Sequence, residues 1–103
     1  MIKVSLMYPN STDATFDIEH YCNTYIPMVD HLLGEALKGS NVDFGLARGR
    51  PGDSTPFIAM GHMMFDSVES FQSAFGLNAE KIMNDIPNYT NTQSQIQVSD
   101  IKL

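Results

Sequence analysis

The chain has 103 residues, and at roughly 100 to 200 residues per domain the whole of 1–103 reads as a single domain. Twelve acidic residues against six basic ones give a formal charge of −6, which repels phosphate backbones and anionic surfaces, so neither nucleic acid nor a membrane is an expected partner. The 43% hydrophobic and 17% charged shares are those of a folded globular chain. The lone Cys22 has no internal disulfide partner, and with no apolar leader or membrane-length run in view the cytoplasm is the expected compartment.

Ile2 to Tyr8 alternates, with Ile2, Val4, Leu6 and Tyr8 on one row and Lys3, Ser5 and Met7 on the other. That is the period of a strand, and Pro9-Asn10-Ser11 stops it. From about Asp17 the period changes to three or four. Ile18, Tyr21, Cys22, Tyr25, Met28, Val29, Leu32 and Leu33 form a helical stripe, with Thr15 or Asp17 as N-cap and Gly34 as stop. On this stripe Cys22 is a buried, inert thiol. Pro27 falls inside the run, lacks a donor and crowds the Asn23 carbonyl, which predicts a kink or a helix in two pieces.

A second strand is expected over residues 41–48, and Arg48 to Pro56, rich in Gly and Pro, is the connection of a hairpin. The third strand, Phe57 to Phe65, is apolar on both rows: Phe57, Ala59, Gly61, Met63 and Phe65 against Ile58, Met60, His62 and Met64. A second helix starts at Asp66 or Ser67 and carries Val68, Phe71, Phe75, Ala79, Ile82 and Ile86 on one face, with a bend or break expected at Gly76 or Asn78. Residues 87–91 read as a loop. A last strand follows, with Ile96 and Val98 alternating with Gln95, Gln97 and Ser99 and an exit or bulge near Asp100.

The order βαββαβ is that of an α+β, ferredoxin-like subunit, in which two helices cover one face of a four-stranded antiparallel sheet. The apolar third strand asks for cover on both faces, and the helices serve only one. A second copy facing the first supplies the rest, so the expected unit is a homodimer of the dimeric α+β barrel kind. Between the sheets, methionines beside polar residues suit either a small pocket or a plain dimer interface.

For chemistry, His62 is the only ionisable group in the third strand, able to move a proton near neutral pH. A satisfied interface histidine is the alternative reading. Tyr25, beside the expected distortion at Pro27, brings a phenol to the end of the sheet, with packing as its alternative role. His62 and Tyr25 are therefore the candidate catalytic residues. Tyr8, Met60, Met64 and Tyr89 are the candidate substrate-binding residues. His20, His31, His62 and Cys22 have no zinc-ligand spacing and no phosphate-binding glycine loop is present, so no metal site and no nucleotide hydrolysis is expected. No cofactor is expected either, haem held by His62 being the alternative.

Several separated segments resemble the EthD (ethyl tert-butyl ether degradation) family: Phe16-Asp17 through Tyr21, Tyr25-Ile26-Pro27-Met28-Val29, Gly61-His62-Met63-Met64-Phe65-Asp66-Ser67, Asp85-Ile86-Pro87-Asn88-Tyr89-Thr90 and Gln97-Val98-Ser99. The resemblance implies a ferredoxin-like subunit that dimerises through its sheets. It also implies kinship with proteins that accompany ether-degrading cytochrome P450 systems, and with barrels that act as cofactor-free monooxygenases, isomerases, dehydratases or haem enzymes. Tyr25 stands where the family usually has a histidine, and His20 where a tyrosine is common. The function expected is a small-molecule catabolic enzyme or accessory oxidoreductase that binds an apolar carbonyl- or phenol-bearing compound between sheet and helices. A non-catalytic small-molecule-binding or stress-type barrel is the alternative.

Overall fold

The computed structural model describes residues 1–47, 49 and 54–103. Strand β1 spans Ile2–Pro9, β2 Gly39–Phe44, β3 Phe57–Phe65 and β4 Gln95–Asp100. They form one antiparallel sheet in the order β2-β3-β1-β4. Most of the predicted hairpin connection, residues 48 and 50–53, lies outside the described residues. β2 begins earlier than the expected Asn41 and ends before Arg48. Gly39 pairs opposite Met64, and a Cβ there would lie 2.9 Å from Met64 Cε, the far end of a flexible side chain that would have to shift.

The first helical run is in two α segments, α1 Ile18–His20 and α2 Ile26–Leu33, joined by a π-helical turn, Tyr21–Tyr25. Asp17 is the N-cap, accepting from the His20 amide at 3.1 Å. The expected distortion at Pro27 takes this form. Proline has no N–H to give the Asn23 carbonyl and its ring crowds it, and the widened turn just upstream, where the Ile26 amide reaches back to the Tyr21 carbonyl, relieves both. Tyr21, Tyr25, Val29 and Leu33, four residues apart, then face the sheet and are buried. Cys22 is off that line and exposed, which corrects its expected place in the core.

Helix α3 runs unbroken over Val68–Asn84, capped by Ser67 accepting from the Ser70 amide at 3.1 Å. Neither Gly76 nor Asn78 interrupts it. The Asn78 amide instead donates to the Ala74 carbonyl of its own helix at 2.9 Å and to the Leu32 carbonyl of α2 at 3.1 Å, joining the two helices. After a short 3₁₀ turn, Ile86–Asn88, the chain forms an isolated bridge between Thr90 and Phe16 and enters β4.

The register sorts the strand residues into two faces. Val4 opposes Met63 and Val98, and Leu6 opposes Gly61 and Ile96, so these rows share the helix side. The core lies there, where Ile2, Val4, Tyr8, Ala59, Met63 and Phe65 meet Tyr21, Tyr25, Val29, Leu33 and Ile82. The other face carries three rungs: Lys3 beside Met64, Ser5 beside His62 and Asn41, and Met7 beside Met60 and Asp43. Met60, His62 and Met64 are half-buried there by their neighbours alone. Among the described residues no helix is long and apolar enough to cross a membrane.

Candidate functional site

All four tyrosines of the chain converge on the helix side of the sheet. Tyr8 ends β1, Tyr21 and Tyr25 project from the two ends of the π turn, and Tyr89 follows the 3₁₀ turn. The Tyr21 and Tyr25 rings stack with centroids 5.4 Å apart at 17°. Tyr89 lies 4.7 Å from Tyr25 and 4.9 Å from Tyr21, and the Tyr8 and Tyr89 hydroxyls are hydrogen-bonded at 2.9 Å. Phe16 closes the group edge-on to Tyr8 at 5.0 Å. Gly61 is part of the arrangement, because any Cβ there would collide with the Tyr21 hydroxyl.

Burial raises the pKa of every one of these phenols above the ordinary 10.0, since a phenolate here would lose its water. At neutral pH they are protonated. They can donate hydrogen bonds but cannot serve as bases.

Beside the group opens an apolar cavity of about 400 Å³. Leu6 and Ile96 form its floor on the sheet, and Phe75, Ile82 and Met83 of α3 form one wall. Ile86 and Tyr25 line its inner end, and Thr92, Gln93 and Ser94 supply a polar rim. Ile96 is 62% exposed although it lies on the helix side, because the two helices leave the β4 end of the sheet uncovered. This gap is what makes the cavity.

A second polar feature, which pattern reading missed, holds the loop against the helix. His20 Nε2 lies 2.9 Å from Asp85 Oδ2, Asn88 donates to Asp85 Oδ1 at 2.8 Å, and the His20 ring stacks on Tyr89. The Asn88 hydrogen bond first, then His20, holds the Asp85 carboxyl below the usual carboxylate range, so it is ionised. His20 and Asp85 are 65 positions apart, beyond the reach of any local signal. Around the same loop, Thr90 donates to the Thr15 carbonyl at 2.7 Å and Asn91 bonds both the Thr15 amide and the Asp13 carbonyl.

The six candidate residues thus divide. Tyr8, Tyr25 and Tyr89 come together on the helix side, with Tyr25 on the cavity. Met60, His62 and Met64 lie on the opposite face, so His62 and the tyrosines do not form one cleft. His62 Nδ1 is hydrogen-bonded to Ser5 Oγ at 2.9 Å and Nε2 lies 3.2 Å from Asp43 Oδ2. The Ser5 strand is paired on both sides, so its amides belong to the sheet instead of facing an oxyanion.

A four-stranded antiparallel sheet in this order, with its helices on one side and a cleft between helix and sheet, defines a ferredoxin-like α+β protein. The model of the EthD domain matches residues 9–93. An EthD-like protein from Ralstonia eutropha JMP134 is 37% identical, over 99% of this chain and 92% of that one, with a TM-score of 0.96. The chain belongs to the EthD family. Two more distant structures share the fold. An ethyl tert-butyl ether degradation family protein from Bacillus halodurans C-125 is 21% identical over 99% of each chain, with a TM-score of 0.68. A dimeric ferredoxin-like protein from an uncultured marine organism is 9% identical over 100% of this chain and 96% of that one, with a TM-score of 0.54. No curated protein matches the chain.

Proposed function

We propose that this chain is a small-molecule catabolic protein that binds an apolar compound bearing a carbonyl or phenol group in the cleft between α3 and the sheet. The observation that carries the reading is the cavity of about 400 Å³ with an apolar body and hydroxyl or amide groups at two ends, Tyr25 inside and Thr92 to Ser94 at the rim. A ligand buries its hydrocarbon against Leu6, Phe75 and Ile82 and accepts a hydrogen bond from the Tyr25 hydroxyl. Tyr8 and Tyr89 act behind Tyr25, fixing its ring through their shared hydrogen bond and close packing.

The functional unit in this reading is a homodimer formed through the face opposite the cleft. Its support is the stripe of Met7, Met60 and Met64 about the Ser5–His62 pair, and a neighbouring fold described as a dimeric ferredoxin-like protein. His62 belongs to that interface, and Met60 and Met64 line it instead of the cleft.

One observation favours the non-catalytic alternative over an oxidoreductase. Among the described residues lining the cleft, none can take up a proton at neutral pH, since Tyr25 stands where the resemblance placed a histidine and its phenol stays protonated. Calorimetric titration with acetophenone tests the binding reading. Tyr25→Phe loses one hydrogen bond, about 0.5–1.5 kcal/mol or roughly two- to tenfold in affinity. Equal affinity in wild type and variant would remove Tyr25 from the site, and oxygen uptake with the bound compound would restore the enzymatic reading.

A further inference from the structure

We infer that the cleft admits only uncharged ligands: a phenol and not its phenolate, a ketone, ester or amide and not a carboxylate. This deepens the reading of the cleft as a ligand site and rests on it. Three features of the site carry it.

The polar groups of the lining are all neutral. Thr92, Gln93 and Ser94 form the rim, Tyr25 the inner end, and no Lys, Arg or His lines the cavity among the described residues. Lys81 of α3 lines a separate groove with Met28 and Leu32. An anion entering the cavity would exchange its water for hydrocarbon and a few neutral dipoles, a far poorer exchange than a neutral oxygen makes.

The fixed charge beside the cavity has the wrong sign for an anion. Helix α3 supplies its wall through Ile82 and Met83 and ends at Asn84, so the negative end of the helix dipole lies at the inner end. Asp85 follows directly, is ionised through Asn88 and His20, and its field reaches the Tyr25 phenol. From the strands, the lining residues Leu6 and Ile96 bring no charge.

Nor does the site hold a base that could make an anion from a bound neutral ligand. Among the described residues Tyr25 is the one ionisable group of the lining, and burial keeps that phenol protonated. A ligand with an acidic hydroxyl therefore keeps its proton when bound.

4-Nitrophenol titrates near neutral pH and is coloured only as the phenolate, which makes it the probe. With the pH set at the ligand's own pKa, adding the full-length protein should bleach the colour as the phenol form is taken up. Above that pH the apparent affinity should fall about tenfold per pH unit. 4-Nitroanisole, which has no proton to lose, should bind with an affinity flat across the same range. In Gln93→Lys, an exposed rim position, a cation is placed at the mouth and the coloured phenolate should now bind. Deepening of the colour on binding to the wild type, or nitrophenol affinity as flat as that of nitroanisole, would overturn the inference while leaving the ligand site in place. Failure of both probes to bind would overturn the ligand site, and the inference with it.

Discussion

Tyr8, Tyr21, Tyr25 and Tyr89 share one fate, because each phenol is buried among the others and would have to ionise without water. The consequence is a pH dependence whose sign is set by the raised values. In the unfolded chain a phenol releases its proton near 10.0, while in the folded chain it holds it to higher pH. Stability from the cluster is therefore complete below pH 10 and is lost as the pH climbs toward the folded values. Because the four are all the tyrosines present, tyrosinate absorbance should appear only together with loss of the circular dichroism signal. Absorbance rising near pH 10 with the fold intact would show that the phenols are open to water. Tyr8 was legible as a candidate at the end of the first strand, Tyr25 on the helical stripe beside the expected distortion at Pro27, and Tyr89 in the loop before the last strand. Their mutual contact was not, since it joins positions up to 81 apart. His62 stood out for the same reason that misplaced it: a lone ionisable residue marks a strand position, but parity alone does not say which face the helices take.

At the scale of elements, β3 and the π turn meet at Gly61 and Tyr21. The alternation of β3 was plain, and its bounds agree with the expectation from Phe57 to Phe65. The role of Gly61 was hidden, because a glycine in a strand shows only that some atom approaches closely, and the atom is the Tyr21 hydroxyl from a helix forty positions away. Gly61→Ala should destabilise the protein by about 1–3 kcal/mol through overpacking. Tyr21→Phe removes the colliding oxygen, so in the double variant most of that loss should be recovered, as a thermal-melt mutant cycle reads directly. Additive losses would mean that Gly61 acts through backbone freedom alone. Pro27 announced a distortion, and proline chemistry says why, yet not that it would take the form of a π turn. That choice depends on the sheet, which buries Tyr21 and Tyr25 together and leaves Cys22 outside. Asn78 reads as a helix weakness in sequence and becomes a tie between α2 and α3 once Leu32 stands opposite.

For the whole molecule, the sheet has two faces with two roles. The helix side carries the core and the cleft, and the open side carries Met7, Met60, Met64 and His62. The apolar character of both rows of β3 was readable, and the two helices cover only one of them. The cleft was not readable, since it exists only where the helices stop short of β4 and leave Ile96 bare. A charge in the middle of the open face should separate the copies. Sedimentation of Met60→Glu at low micromolar concentration should give a folded monomer where the wild type gives a dimer, and a monomeric wild type would refute the pairing. The central claim, that ligand is bound on the helix side and not beside His62, is tested most directly by the acetophenone affinity of Ile82→Trp and His62→Ala. The account predicts that the tryptophan fills the cavity and abolishes binding, while the His62 variant binds as the wild type does. Binding lost in His62→Ala and retained in Ile82→Trp would contradict it.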